Sequence, residues 1–281
     1  MKPTVGDMLA AWVPGVRRLR DARRARARHR ANQRESARAA ELAGKDIAAV
    51  FTDHYLHNEW ANAESRSGPG STLEYTASIR REIPALLARF GIKRVLDAPC
   101  GDYNWFRHIQ RNPPFDYIGA DIVEPLIAEN TARYADAHTR FLCMDITAAP
   151  TPLAPTPSPA PAPAPSPAPA PAADLWLCRD CLFHLSYADV TKVLASFLHS
   201  GIPYLLTSSH TQCRINIDCI TGSFRELNLE LPPFNFPPPL ASIDDWIGGF
   251  PVRQLCLWTS DQVRGALEPA SVPSLKLKRE E

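Results

Sequence analysis

Arg94-Val95-Leu96-Asp97-Ala98-Pro99-Cys100-Gly101-Asp102 is the stretch from which the fold can be read. The apolar pair Val95 and Leu96 runs into an acid, then into a turn holding a Pro, a Cys and a Gly. A short buried strand followed by a loop fits this order, and Gly101 leaves room there for backbone to approach a ligand. Tyr117-Ile118-Gly119-Ala120-Asp121 repeats the pattern of an apolar run closed by an acid. Asp121 falls about 20 residues after Gly101, a spacing suited to a carboxylate that accepts from ribose hydroxyls.

Outward from this pair, strands and helices alternate. Ahead of Arg94, Ile79, Ile83, Leu86, Leu87 and Phe90 form one helical face, with Gly91 as its stop. Ser71-x-x-Glu74 reads as a capping box that starts this helix at Thr72, with a break near Pro84. Beyond Asp102 a helix is expected through Trp105, Phe106 and Ile109, closed by Pro113-Pro114, and another over 125–134 with Pro125 in its first turn. Arg140-Phe141-Leu142-Cys143-Met144-Asp145 and Leu175-Trp176-Leu177-Cys178-Arg179-Asp180 are a third and a fourth strand, each ending in an acid. A helix over 188–198, a fifth strand over 203–208 and a last strand over 252–258 complete the series. Short apolar strands separated by helices predict an α/β fold, a Rossmann-like, doubly wound and mostly parallel sheet with helices on both faces.

The chain has 281 residues, 45% of them hydrophobic, enough for one sizeable core. Two segments stand apart from it. Residues 1–45 form a basic, helical or partly disordered extension, with ten arginines against Asp21 and Glu35 between Arg17 and Arg38. Met8, Trp12, Val16 and Leu19 lie at helical spacing in it, so a short amphipathic helix kinked at Pro14 is expected. A solvated extension, a weak membrane-surface contact and an organelle-targeting peptide are all consistent with that composition. The main domain, 46–281, is interrupted at 148–173 by an Ala-Pro tract. Eleven of the 28 prolines fall in residues 150–171, so the tract can form neither helix nor sheet ladder and is expected as an extended surface loop. Outside the arginine-rich segment the chain is net negative, which excludes a general nucleic-acid surface on the main domain. Seven cysteines, with no apolar span and no signal peptide, point to reduced thiols and a cytoplasmic setting. Cys178-x-x-Cys181 has no second ligand pair, so no metal site is expected.

The order of strand-end residues resembles a class I S-adenosylmethionine-dependent methyltransferase, over roughly residues 70–210. Asp97-Ala98-Pro99-Cys100-Gly101-Asp102 resembles motif I, Asp121 the acidic end of motif II, Cys143-Met144-Asp145 motif III, and Cys178-Arg179-Asp180-Cys181 motif IV. Ser67-Gly68-Pro69-Gly70-Ser71 and the run from Phe234 to Leu240 look like a little-characterised bacterial-type branch. Pro99 stands where motif I commonly has its first Gly, and Asn104 lies near the third. The resemblance implies S-adenosylmethionine as cofactor. Asp97, Ala98, Pro99 and Gly101 would border its methionine portion, and Asp121 would accept from both ribose hydroxyls. Asp145 would accept from the adenine amino group, with Ile122 and Ile146 packing on the ring. Arg179 and Asp180 would lie beside the sulfonium.

Methyl transfer asks the protein to align donor and acceptor and sometimes to remove a proton. His184, after motif IV, and His210, after the fifth strand, are the candidate bases, and Asp180 belongs to the same catalytic group. The last third mixes polar, aromatic and Pro residues, as an ordered loop over the carboxyl edge of the sheet would. There Asn216, Asp218, Arg225 and Asn235 are candidates for selecting a hydroxylated or anionic acceptor. The expected reaction is O-methylation of a small-molecule or glycosidic acceptor, because no Asn-Pro-Pro-Tyr-like stretch follows the fourth strand. An inactive nucleoside-binding or scaffold module with the same fold is the alternative. A nicotinamide-dependent oxidoreductase fits less well, since motif I lacks the Gly-x-Gly-x-x-Gly turn for a pyrophosphate.

Overall fold

A computed structural model describes residues 14–42, 44–148 and 172–268. Its centre is a seven-stranded sheet of β1 (Arg94–Asp97), β2 (Asp116–Asp121), β3 (Thr139–Cys143), β4 (Leu175–Cys178), β5 (Tyr204–Ser209), β6 (Ala241–Asp244) and β7 (Gln254–Thr259). The order is β3-β2-β1-β4-β5-β7-β6. β1 to β5 are parallel, and β7 runs antiparallel to both β5 and β6.

Successive side chains of a strand point to opposite faces, and here both faces are covered. Val95, Tyr117, Leu175 and Leu206 enter one apolar cluster, while Leu96, Ile118, Trp176 and Leu205 enter the other. On the first face α2 (Ile47–His57) contributes Tyr55, α3 (Ala77–Arg89) contributes Ile79, Ile83 and Leu87, and α4 (Glu124–Tyr134) contributes Leu126 and Ile127. On the second, α5 (Tyr187–Ser200) packs Val190, Val193, Leu194 and Phe197, and α6 (Ser260–Leu267) adds Val263. The doubly wound α/β class read from the sequence is the one observed.

Several local expectations are corrected. α3 starts at Ala77 and not at Thr72. Ser71 N donates to Gly68 O, closing a 3-10 turn, and Glu74 turns away to pair with Arg24 at 2.8 Å, so the two halves of the capping box never meet. Pro84 does not break α3, because buried Ile79, Ile83, Leu86 and Leu87 anchor it on both sides of the missing backbone bond. The helix expected through Trp105 is only a 3-10 turn, Phe106–His108, since Asn104 is tied to Ser71 O and Glu64. β6 and α6 were not anticipated.

The basic N-terminal segment forms α1 (Pro14–Leu42), 29 residues and not a short helix. Met8 and Trp12 lie outside the described residues, as does the Val16 side chain, and Leu19, the described member of the expected stripe, is 73% exposed. Instead Arg24 forks onto Glu74, and the Arg28 guanidinium lies 5.2 Å from the Phe250 ring centroid. Most of the Ala-Pro tract, 149–171, also lies outside the described residues. Among the described residues no helix is long and apolar enough to cross a membrane.

Candidate active site

The parallel strands deliver their carboxyl ends to one cleft of about 850 Å³, walled also by α1, α2 and the loop that joins α2 to α3. Ligands of open α/β sheets bind at this edge, where the strand order reverses on either side of β1.

Asp97 closes β1 and is 2% exposed. Tyr117 Oη donates to its Oδ2 at 2.8 Å. Burial pushes the Asp97 carboxyl up to about 7, against the Tyr117 hydrogen bond and the Arg179 charge. Asp121 closes β2; its Oδ2 accepts from Gly101 N and its Oδ1 from Val123 N, both at 3.1 Å. Burial pushes Asp121 up to about 6 despite these donors. Each of its oxygens retains accepting capacity beyond the one backbone N–H it takes. Asp145, just past β3, is half-buried and takes Thr147 N and Oγ1 on Oδ1, both at 2.7 Å. Ile122 and Ile146 flank the same part of the cleft. Pro99 and Gly101 line it too, but Ala98 does not: its N–H bonds Leu177 O, its carbonyl accepts from Trp176 Nε1, and its methyl is fully buried in the core.

The turn after β1 is held by side chains that sequence reading passed over. Asp102 accepts from Ser65 Oγ, Arg66 N and Ser67 Oγ, while Ser67 Oγ accepts from Asp102 N at 2.8 Å. Gly101 has φ +57, and a Cβ there would run into the Ser67 side chain. The turn therefore needs glycine for conformation and for space.

Past β4, Arg179 and Asp180 enter a closed ionic network. Arg179 forks onto Asp245 at 3.0 and 2.8 Å and also donates to Gly70 O at 2.7 Å. Arg253 donates to Asp245 and grips both oxygens of Asp180. Burial opposes charge on Asp180, but Arg253 and Arg179 outweigh it and hold the carboxyl down to about 2. A carboxylate so held stays ionised.

The two histidines differ in polarity. His184 Nδ1 donates to Ser223 O at 3.2 Å, so its neutral ring carries the lone pair on Nε2. His210 is 1% exposed and accepts Leu227 N on Nδ1 at 3.2 Å, which makes Nε2 the N–H end. That Nε2 is buried with no hydrogen-bond partner. Burial and then the Arg253 charge pull His210 down to about 3, so it stays neutral, with an N–H on Nε2 where the expected base needs a lone pair. Both rings line the cleft with Trp60, Phe183 and Phe224.

The expected acceptor residues are not brought there. Asn216 donates to Asn228 O and Pro232 O, Asp218 accepts from Tyr187 N, Arg225 donates to Leu185 O, and Asn235 donates to Pro233 O. All four tie the long loop to itself and to α5, away from the cleft lining. The cleft lining instead includes residues of α1 together with Trp60, Tyr75, Phe250 and Arg253. Cys178 and Cys181 are buried free thiols, and no metal-holding cluster of His, Cys, Asp and Glu occurs among the described residues.

No protein-family model and no curated protein matches the chain. Among solved structures, mitomycin 7-O-methyltransferase MmcR aligns at TM-score 0.51 and 13% identity, over 82% of this chain and 68% of that one. Magnesium protoporphyrin IX methyltransferase (ChlM) from Synechocystis PCC 6803, with bound SAM, aligns at 0.49 and 12%, over 77% and 98%. With its strand order and the likeness to MmcR, the chain has the fold of the class I S-adenosylmethionine-dependent methyltransferases.

Proposed function

We propose that the cleft binds S-adenosylmethionine and that the chain transfers its methyl group to an oxygen of a small-molecule or glycosidic acceptor. The observation that carries this reading is the set of carboxylates at the carboxyl ends of three adjacent strands on the cleft, Asp97 and Asp121 closing β1 and β2 and Asp145 just past β3. Asp121 is preset by two backbone donors and keeps one accepting site per oxygen, which suits the paired hydroxyls of a ribose. Asp145, through Oδ2, accepts from the adenine amino group, and Ile122 and Ile146 bracket the ring. Asp97 and the Gly101 turn hold the methionine portion. When bound, the cofactor supplies a methyl carbon already activated by a sulfonium.

The chain's part is alignment and proton removal. His184 Nε2 takes the acceptor's proton, and the His210 Nε2–H orients the acceptor oxygen. Arg179 and Asp180, neutralised by Asp245 and Arg253, stiffen the wall between cofactor and acceptor. Transfer of labelled methyl from S-adenosylmethionine to a panel of hydroxylated acceptors tests this. The expected result is turnover that falls about 100-fold or more in His184→Gln, the usual scale of a lost general base, with cofactor affinity kept. Cofactor binding with no transfer to any hydroxyl favours a nucleoside-binding module instead.

A further inference from the structure

We infer that the acceptor is a planar aromatic compound bearing a carboxylate or a similarly compact anionic group, received by the arginine face of α1. The inference rests on the methyl-transfer reading and specifies its substrate.

Charge is uneven along the cleft, although Glu59 and Arg66 also line it. Asp97, Asp121 and Asp145 stand at the β1, β2 and β3 side, whereas α1 brings Arg24, Arg28, Arg30 and Arg34 to the lining near Phe250, which precedes β7. Arg24, Ala27, Ala31 and Arg34 follow at steps of three and four residues, so they share one helix face, with Arg28 beside them. Ala27 and Ala31 are exposed and open onto the cleft between the arginines.

Three of the cleft arginines are already spent. Arg179 and Arg253 are matched by Asp180 and Asp245, and Arg24 by Glu74. Arg28 is not: its Nη1 is buried and without a hydrogen-bond partner, although Glu226 and Tyr75 are near enough to influence its charge. Arg30 and Arg34 make no ion pair among the described residues. A guanidinium nitrogen taken out of water without an acceptor is unfavourable, and a planar carboxylate satisfies it with two parallel bonds once the side chain turns to face the cleft. The opposite walls are rings: Phe250 under Arg28, and Trp60, His184 and Phe224 in sequence, with centroids 6.5 and 5.8 Å apart. A flat acceptor slides between them with its anion toward α1 and its hydroxyl toward His184 and His210.

The test uses the full chain saturated with S-adenosylhomocysteine, whose own titration is done first. 3-Hydroxy-2-naphthoate and its uncharged carboxamide are then titrated calorimetrically. The expected result is tenfold or greater preference for the carboxylate in wild type. The preference should drop to twofold or less in Arg28→Gln, fall about threefold in the exposed Arg34→Gln, and persist in Arg23→Gln, which removes the same charge outside the cleft. Retained S-adenosylhomocysteine binding shows that each variant is folded; if Arg28→Gln is not, Arg34→Gln decides. Equal binding of the two probes, no binding of either, or a preference untouched by Arg28→Gln and Arg34→Gln overturns the inference while leaving the cofactor reading intact. Failure of wild type to bind S-adenosylhomocysteine overturns the cofactor reading itself, and the inference with it.

Discussion

Asp97 is a carboxylic acid that the fold has removed from water, and its raised pKa has a consequence for stability. In the unfolded chain it titrates near the ordinary value of about 4. In the native state it titrates at about 7. Between those values the native state binds more protons than the unfolded one, so stability declines as pH rises through that window and is lowest above it. Asp97→Asn keeps an acceptor for Tyr117 and removes the buried charge. At pH 8 it should raise the unfolding free energy, by up to about 4 kcal/mol, while at pH 4 it should change little. Denaturant titration at both pH values checks this, and equal stability at pH 8 would show that the charge is buried without cost. Asp97, Asp121 and Asp145 were legible because each closes an apolar run of adjacent residues. The roles of His184 and His210 were not legible, since they depend on whether a ring nitrogen meets a carbonyl or an N–H from a residue 39 or 17 positions away.

At the level of elements, the network of Arg179, Asp180, Asp245 and Arg253 fastens three strands at their ends. Arg179 and Asp180 follow β4, Asp245 follows β6 and Arg253 precedes β7. The Asp245 side chain is fully buried and serves both arginines. Asp245→Ala leaves two buried cations with one partner and should destabilise by about 3–5 kcal/mol. Thermal or denaturant unfolding measures it, and a loss within about 0.5 kcal/mol, typical of an uninvolved surface position, would contradict the clamp. Partners 66 residues apart carry no local signature, and β6 itself is only 4 residues long, so neither could be seen in the chain. The polar residues of the long loop misled for a related reason. Asn216 and Arg225 look like ligand groups in sequence, yet backbone carbonyls claim them, those of Asn228 and Pro232 for Asn216 and that of Leu185 for Arg225.

For the whole molecule, alternation and strand-end acids sufficed for the α/β class, and what escaped was how the outlying segments meet the body. The arginine-rich helix meets the body through Arg24 with Glu74 and Arg28 with Phe250, contacts that no periodicity encodes. The Ala-Pro tract is proposed to be dispensable to the fold, because the described chain is pinned on either side of it. Ala148 O accepts from Ser196 Oγ, and Asp174 accepts from Lys93 N and Arg94 N. Replacing residues 149–171 with about a dozen Gly and Ser residues, enough for a parallel crossover, should leave cofactor affinity within about twofold, as loop length enters closure only logarithmically. A large loss would assign the tract a part in folding or binding. The central claim is that Asp121 holds a nucleoside, and calorimetric titration of S-adenosylmethionine into wild type and Asp121→Ala tests it most directly. Saturable binding at one site that weakens at least about 100-fold in the variant is the predicted result, from two lost hydrogen bonds to a carboxylate. No binding by wild type, or equal affinity of the two proteins, would contradict it.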